Sequence, residues 1–290
     1  MSLSVTFYTK PFRDLIESIK DVVPTVVLSF APDGLDMQSM DVNKVALVEF
    51  FITAESFVDY QYPEDAEDNE ESIALALDLK SLFKILKCAK ANSQCKCVFK
   101  LNGNSLKMNF TNDNEVFSFN LKLLNIDSNR LPIPERENNV TMTFPTDLYQ
   151  SFTKDIATLT TDITISVGEF GNDGNDGNDE NDVQLKFEFG SDLGNGSWTV
   201  KFVNGIELHD YNEEVSQRFS ISYLQNFSKA VMNAGRADVS LKAGEPIEIV
   251  CPLPRLSQLT VLHNQEIDGD DIYPFGYLKF FLAPKVEENE

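Results

Sequence analysis

The sequence predicts an α+β fold built from one domain used twice, each copy carrying two helices laid on antiparallel strands. Three observations lead there. Amphipathic helices recur at matching places in the two halves, and alternating strand-like segments fill the intervals between them. A short motif also repeats: Asp14, Leu15, Ser18, Lys20 and Asp21 in the first half answer to Asp147, Leu148, Ser151, Lys154 and Asp155 in the second.

In chain order, the first helix is expected over Pro11–Val23. A proline stands in its first turn, Phe12, Leu15, Ile16, Ile19, Val22 and Val23 form its apolar face, and Arg13, Glu17 and Lys20 form its polar one. Strands are expected at Val26–Ala31, Gly34–Met40, Ala46–Thr53 and Ser72–Asp78. The second helix, Leu79–Lys90, turns Leu79, Leu82, Phe83 and Leu86, with Cys88 or Ala89, toward a core. Its lysines at 80, 84, 87 and 90 fall on the other side. Strands at Lys96–Leu101, Leu106–Phe110 and Val116–Leu123 complete the first copy. The second copy opens with a strand at Asn139–Phe144 and a helix at Pro145–Leu159. It continues through strands to a helix at Ser222–Met232, then strands at Asp238–Leu241 and Pro246–Cys251. The resulting division is 1–123 for the first domain, 124–139 for a connector and 140–290 for the second domain. A length of 290 residues suits two domains of roughly 140 residues or one large one.

Composition narrows the function classes. Hydrophobic residues at 42% and charged residues at 24% fit a folded globular chain. No run approaches the ~18 apolar residues of a membrane span, so no membrane partner is expected. The start, MSLSVTFYTKPF, lacks the apolar core of a signal peptide, and four cysteines are too few for a disulfide scaffold; an intracellular, reducing setting is expected. The net charge of −22 is unevenly spread. Glu64–Glu71, Gly171–Asp182, Glu266–Asp271 and the tail after Val286 hold 18 acids and no base, which leaves the remainder at only −4.

Enzyme chemistry finds little support. His209 and His263 have no neighbouring nucleophile or metal-ligand spacing, no phosphate-binding glycine motif occurs, and the carboxylates cluster in solvated loops. Cys95 and Cys97 place two thiols on one strand face with Cys88 nearby, but a zinc site lacks a fourth ligand and buried free thiols are the plainer reading. The aspartates at 173, 176, 179 and 182 recur every three residues, not in the alternating pattern of a calcium loop. No metal and no cofactor is expected.

The helix cations are more informative. Arg13, Lys20, Lys84, Lys87, Lys154 and Lys229 each stand opposite an apolar face. Helices sharing one surface would make it positive, in contrast to the acidic loops, and suited to phosphate contact without base reading. Two aromatic-rich strands, one with Phe117, Phe119 and Leu121, the other with Trp198, Val200 and Phe202, are either internal or edges that pair between subunits, head to tail, and close a ring. The connector holds Pro132 and Pro134, and its apolar Leu131 and Ile133 are either pinned to a domain surface or offered to a partner.

Several segments carry a resemblance to a known family. These are Leu35–Asp41 (LDMQSMD) with Val45–Val48, Ser81–Ala89 (SLFKILKCA), Leu131–Glu135 (LPIPE), Leu193–Gly196 (LGNG), Tyr223–Ala230 (YLQNFSKA) and Gly276–Lys285 (GYLKFFLAPK). In this order, across essentially the whole chain, the sequence resembles the proliferating cell nuclear antigen family of eukaryotic DNA sliding clamps. The resemblance implies a ring-forming homotrimer that encircles duplex DNA in the nucleus and catalyses nothing. It is loaded by an ATP-driven clamp loader, and it tethers replicative DNA polymerase and clients of the flap endonuclease and ligase type. The six helix cations would then line the bore. Fewer adjacent bases than usual, with Asp14 after Arg13 and Ser151 in place of an arginine, imply weak and salt-dependent DNA contact. Phe117, Phe119, Trp198 and Val200 would lie at the subunit interface. Client peptides of the Q-x-x-aliphatic-x-x-aromatic-aromatic kind would enter a groove of Met40, Lys44, Val45, Leu47, Leu131, Ile133, Pro246, Phe281, Ala283 and Pro284. Lys44 stands where a histidine is common and Phe281 where a tyrosine is usual. The family's ubiquitin-acceptor lysine has no counterpart between Lys154 and Lys186. The alternative is a subunit of a specialised clamp, checkpoint-type or viral, with altered partners.

Overall fold

The structure, a computed structural model, describes residues 2–63, 72–101, 103–126, 130–170, 183–202, 205–258 and 273–286. The four acidic segments, the repeated aspartates and His263 lie outside the described residues. The first copy runs β1 (Ser2–Tyr8), α1 (Thr9–Ile19), β2 (Thr25–Ala31), β3 (Gly34–Met40), β4 (Ala46–Thr53), β5 (Asp59–Gln61), β6 (Ile73–Asp78), α2 (Leu79–Cys88), β7 (Gln94–Lys100), β8 (Ser105–Thr111) and β9 (Val116–Lys122). The second runs β10 (Val140–Pro145), α3 (Thr146–Ile156), β11 (Asp162–Glu169), β12 (Val183–Ser191), β13 (Gly194–Lys201), β14 (Glu207–Tyr211), β15 (Val215–Ser220), α4 (Ile221–Ala234), β16 (Arg236–Leu241), β17 (Ile247–Pro252) and β18 (Gly276–Leu282). The two strings match element for element.

The pairing repeats as well. In the first copy β1 lies antiparallel between β5 and β7, as β10 lies between β14 and β16 in the second. β2 takes β3 and β6 as neighbours, as β11 takes β12 and β15. The chain is therefore two duplicated α+β clamp domains, each with two helices on antiparallel sheets. By contact density it divides into one unit of Met1–Pro132 with Pro252–Lys279 and another of Ile133–Cys251 with Phe280–Glu290.

In the first unit, α1 and α2 lie side by side. The apolar stripe of α1, with Phe12, Leu15, Ile16 and Ile19, is buried, and the ring of Phe12 meets that of Phe7 from β1 at 4.4 Å. Helix α2 is capped by Asp78, whose carboxylate accepts from the Ser81 N–H at 2.7 Å, satisfying one of the donors a helix start leaves open. Its buried side chains are Leu79, Leu82, Ile85 and Leu86. Phe83, expected in the core, lies instead on the lysine side, because the second turn packs through Ile85.

In the second unit, Phe152 of α3 stacks on Phe187 of β12 at 4.7 Å, and Phe227 of α4 stacks on Phe280 of β18 at 4.2 Å. The buried Tyr149 hydroxyl donates to the Leu224 carbonyl at 3.0 Å and ties α3 to α4; burial raises its pKa well above the ordinary value. Helix α4 stops at Gly235, whose left-handed φ of 82° suits a residue without Cβ.

The segment 252–279 packs in the first unit. Tyr8 N–H donates to the Leu256 carbonyl at 2.9 Å, Ser257 N–H to that of Ser56 at 2.8 Å, and Thr53 N–H to that of Phe275 at 3.3 Å. β18 then starts beside β4. The approach is close enough that a Cβ on Gly276 would sit 2.0 Å from the Phe51 carbonyl oxygen, and φ there is +118°. Gly276→Ala is therefore expected to destabilise the protein by about 2 kcal/mol or more, through strain plus displacement of the strand. Urea denaturation followed by circular dichroism checks it.

Candidate functional site

Three surfaces arise from this fold. The first is the outward side of the helices. In the first unit, the Phe83 ring sits between two ammonium groups, Lys20 Nζ at 5.1 Å and Lys87 Nζ at 5.6 Å from its centroid. Cations from α1 and α2 thus share one aromatic support, a grouping that periodicity alone misses because it assigns Phe83 to the core. Lys20 also pairs with Asp21 at 2.5 Å and is only 14% exposed, while Arg13 lies 3.6 Å from Asp14. Lys84 and Lys87 are exposed. In the second unit, Lys154 and Lys229 are exposed on α3 and α4. Each helix pair therefore presents cations away from its apolar core, and neighbouring carboxylates on α1 temper them.

The second surface is a pair of strand edges. The first unit's five-stranded sheet, ordered β5-β1-β7-β8-β9, ends in β9. The second unit's four-stranded sheet, ordered β13-β12-β11-β15, ends in β13. Both edges are long and mostly exposed. Phe119 is 41% and Trp198 36% exposed, Phe117 and Val200 are half-buried, and Val116 is exposed. Phe117 stacks on Phe110 at 5.5 Å and Trp198 lies 5.7 Å from Phe187, so each edge aromatic is braced from within its own sheet.

The third surface belongs to the β3–β4 turn and the connector. In the first unit, Asp41 folds the turn: its carboxylate accepts from the N–H groups of Asn43, Val45 and Ala46 at 2.7–3.1 Å, and Lys44 adopts φ 59°. Met40 and Lys44 are exposed, and Val45 and Leu47 half-buried. Leu131 keeps its side chain 42% exposed although its backbone is tied to Gln38, and Arg130 pairs with Asp36. In the second unit, Ile133 is exposed, Pro246, Ala283 and Pro284 are half-buried, and Phe281 is 9% exposed within β18. Arg136 fastens the connector there, donating to the Pro246 carbonyl at 2.8 Å and pairing with Glu245 and Glu248 at 3.4 Å. The Glu245 carboxyl is held below its ordinary value, first by Lys242 and then by Arg136. The connector is thus pinned and still displays apolar side chains, which joins the two alternatives left open by the sequence.

Other candidate chemistry stays structural. The Cys95 and Cys97 sulfurs lie 3.6 Å apart in the core, and burial raises the Cys95 thiol well above its ordinary pKa. Among the described residues no group of three or more His, Cys, Asp or Glu side chains could hold a metal. His209 Nε2 lies 2.7 Å from Thr143 Oγ1, but that hydroxyl donates to Asp238 at 2.8 Å and is not set up as a nucleophile. No helix among the described residues is long and apolar enough to cross a membrane.

Two duplicated α+β domains, each with two helices on antiparallel sheets, define the class: a sliding clamp. Comparison with known proteins agrees. Residues 9–130 match the family described as "Proliferating cell nuclear antigen, N-terminal domain". Over 286 residues the chain is 27% identical to the proliferating cell nuclear antigen of Chaetomium thermophilum, covering 96% of this chain and 95% of that protein. Both matches support a sliding clamp of the proliferating cell nuclear antigen type, a family of clamps and not of enzymes.

The connector anchor has a pH signature. Burial raises the Asp36 pKa above its ordinary 3.8, outweighing the opposing pull of Arg130. A raised carboxyl binds its proton more tightly in the folded state. The stability it contributes is present below the unfolded value and is lost as pH rises through the folded one. Asp36→Asn should lie close to wild type near about pH 4, where the carboxyl is protonated, and should lack the wild-type fall in stability as pH rises, so that the variant is the more stable of the two at about pH 7. Thermal melts across that range measure it.

Proposed function

We propose that three copies of this chain close head to tail into a ring around duplex DNA. In this reading the ring acts in the nucleus as the processivity factor of a replicative polymerase. It recruits clamp loader, flap endonuclease and ligase type clients through peptides bound at the connector face. The observation that carries the ring is an equivalence of edges. Within the first unit the edge of β4 is covered by the start of β18. By element order β18 is the counterpart of β9, and β4 is the counterpart of β13. Among the sheet edges of the described residues, β9 and β13 are thus the same kind of pair that the chain already joins within itself. Pairing β9 of one copy with β13 of the next satisfies both rows of backbone groups and covers Phe117, Phe119, Trp198 and Val200. The number three rests on the family resemblance.

For DNA, Arg13, Lys20, Lys84, Lys87, Lys154 and Lys229 supply non-specific phosphate contact. Carboxylates beside Arg13 and Lys20 keep each contact weak, as a sliding ring requires. For clients, the exposed Met40 and Leu131, with Lys44, Val45 and Leu47 beside them on the turn and strand, form the first unit's contribution. We assign Ile133, Pro246, Phe281, Ala283 and Pro284 of the second unit to the same role on the resemblance alone.

Light scattering on a sizing column should give a mass near 98 kDa, three times the 32.6 kDa of one chain. A mass of one chain would favour a subunit of a specialised clamp that needs other partners. The trimer should remain on nicked circular DNA and leave after linearisation, and salt should weaken direct DNA binding steeply. Leu131→Ala should cost about tenfold in affinity for a synthetic client peptide without changing the mass, as loss of one apolar anchor does. Fluorescence anisotropy reads this out, and an unchanged affinity would remove Leu131 from the client surface.

A further inference from the structure

We infer that Glu49 is a positioning residue that sets the client-binding posture of the connector by acting through Gln38. This inference rests on the connector being a client surface, as proposed above. Gln38 and Glu49 stand directly opposite each other on β3 and β4. The Gln38 amide meets the Leu131 backbone at two points: its Oε1 accepts from the Leu131 N–H at 2.6 Å, and its Nε2 donates to the Leu131 carbonyl at 3.1 Å. One side chain thereby imitates a strand partner for a single connector residue and leaves the Leu131 side chain free to face outward.

A glutamine amide can present either end, and the two orientations differ little in shape. Glu49 removes the choice. Glu49 is 7% exposed, and its carboxylate, which can accept but not donate, takes the second Nε2 hydrogen of Gln38 at 3.0 Å. With the nitrogen drawn toward Glu49 and the Leu131 carbonyl, the oxygen must face the Leu131 N–H. Glu49 is in turn held by the Tyr277 hydroxyl, which donates to its other oxygen at 3.1 Å. Burial and then the Glu49 charge push the Tyr277 pKa up to about 12, so that hydroxyl keeps its proton. The Tyr277 ring is itself flanked by Phe51 at 6.3 Å and by the Lys279 ammonium at 4.7 Å. Both amide hydrogens and the oxygen of Gln38 are engaged, so a polar chain runs from the part-buried Tyr277 and Glu49 through Gln38 and ends on the exposed connector backbone.

The test measures hydrogen exchange at the Leu131 amide by mass spectrometry on the full chain, together with the affinity of a synthetic peptide of the Q-x-x-Leu-x-x-Phe-Phe pattern. Gln38→Ala should speed Leu131 exchange about tenfold, the equivalent of one well-made hydrogen bond. Glu49→Gln, which keeps the size of the side chain and removes the orienting charge, should speed it by about threefold or more and weaken the peptide by a similar factor. Amides of β1 and β7 should be unchanged, which separates loss of posture from general loosening. The double variant should be no worse than Gln38→Ala alone, because Glu49 acts only through Gln38. Unchanged Leu131 exchange in Glu49→Gln, or a further loss in the double variant, overturns the inference. A wild-type protein that ignores the peptide overturns the connector's role in client binding, while the exchange data still decide whether Glu49 orients Gln38.

Discussion

Antiparallel sheets end in rows of unpaired amides and carbonyls, and the disposal of those rows governs this molecule. A long, flat, apolar edge is a hazard unless something covers it. Here one potential edge, that of β4, is covered by β18, while among the sheet edges of the described residues β9 and β13 carry exposed aromatic side chains. The helices cannot serve as covers, since α1 packs beside α2 and α3 beside α4 with their apolar stripes spent on their own cores. In the ring proposed above, a second copy covers these edges, because the duplication makes β9 and β13 equivalents of a pair already joined within the chain.

Charge follows from the same arrangement. With one side of every helix committed to the core, the opposite side carries cations, although the chain as a whole is strongly acidic. In the first unit the cations are not simply free in water. Phe83 gives Lys20 and Lys87 a common aromatic seat, and carboxylates at 14 and 21 stand next to Arg13 and Lys20. A surface of this kind attracts phosphates without holding any one of them firmly, which is what motion along a duplex demands.

Much of this was legible in the sequence, and the reasons are physical. The 3.6-residue period located all four α-helices of the described residues, because each buries only one side, and the repeated motif of the first and third helices exposed the duplication. Phe83 was misread because Leu79 and Phe83 stand one turn apart and look like one stripe; only packing shows that Ile85 takes that place. β1 escaped the sequence reading although Leu3, Val5 and Phe7 alternate with Ser4 and Thr6 as a strand requires; the structure adds that Ser4 and Thr6 are buried too. The tethering of Leu131 by Gln38 was invisible, since the partners are 93 residues apart and neither type announces the bond. Glu49 likewise reads as a misplaced charge in an apolar strand until Tyr277 and Gln38 are seen beside it.

The return of residues 252–279 to the first unit also bears on how the protein is made. As the chain emerges from the ribosome, β1 to β9 are complete long before the residues that bond Tyr8, Thr53 and Ser56 have been synthesised. The nascent first unit must wait for the last seventh of the sequence with the β4 edge bare. Its completion thus depends on contacts of very large sequence separation, which are slow to form. During that interval an apolar strand edge is open to the wrong partner, so chaperone shielding late in translation follows from the topology itself.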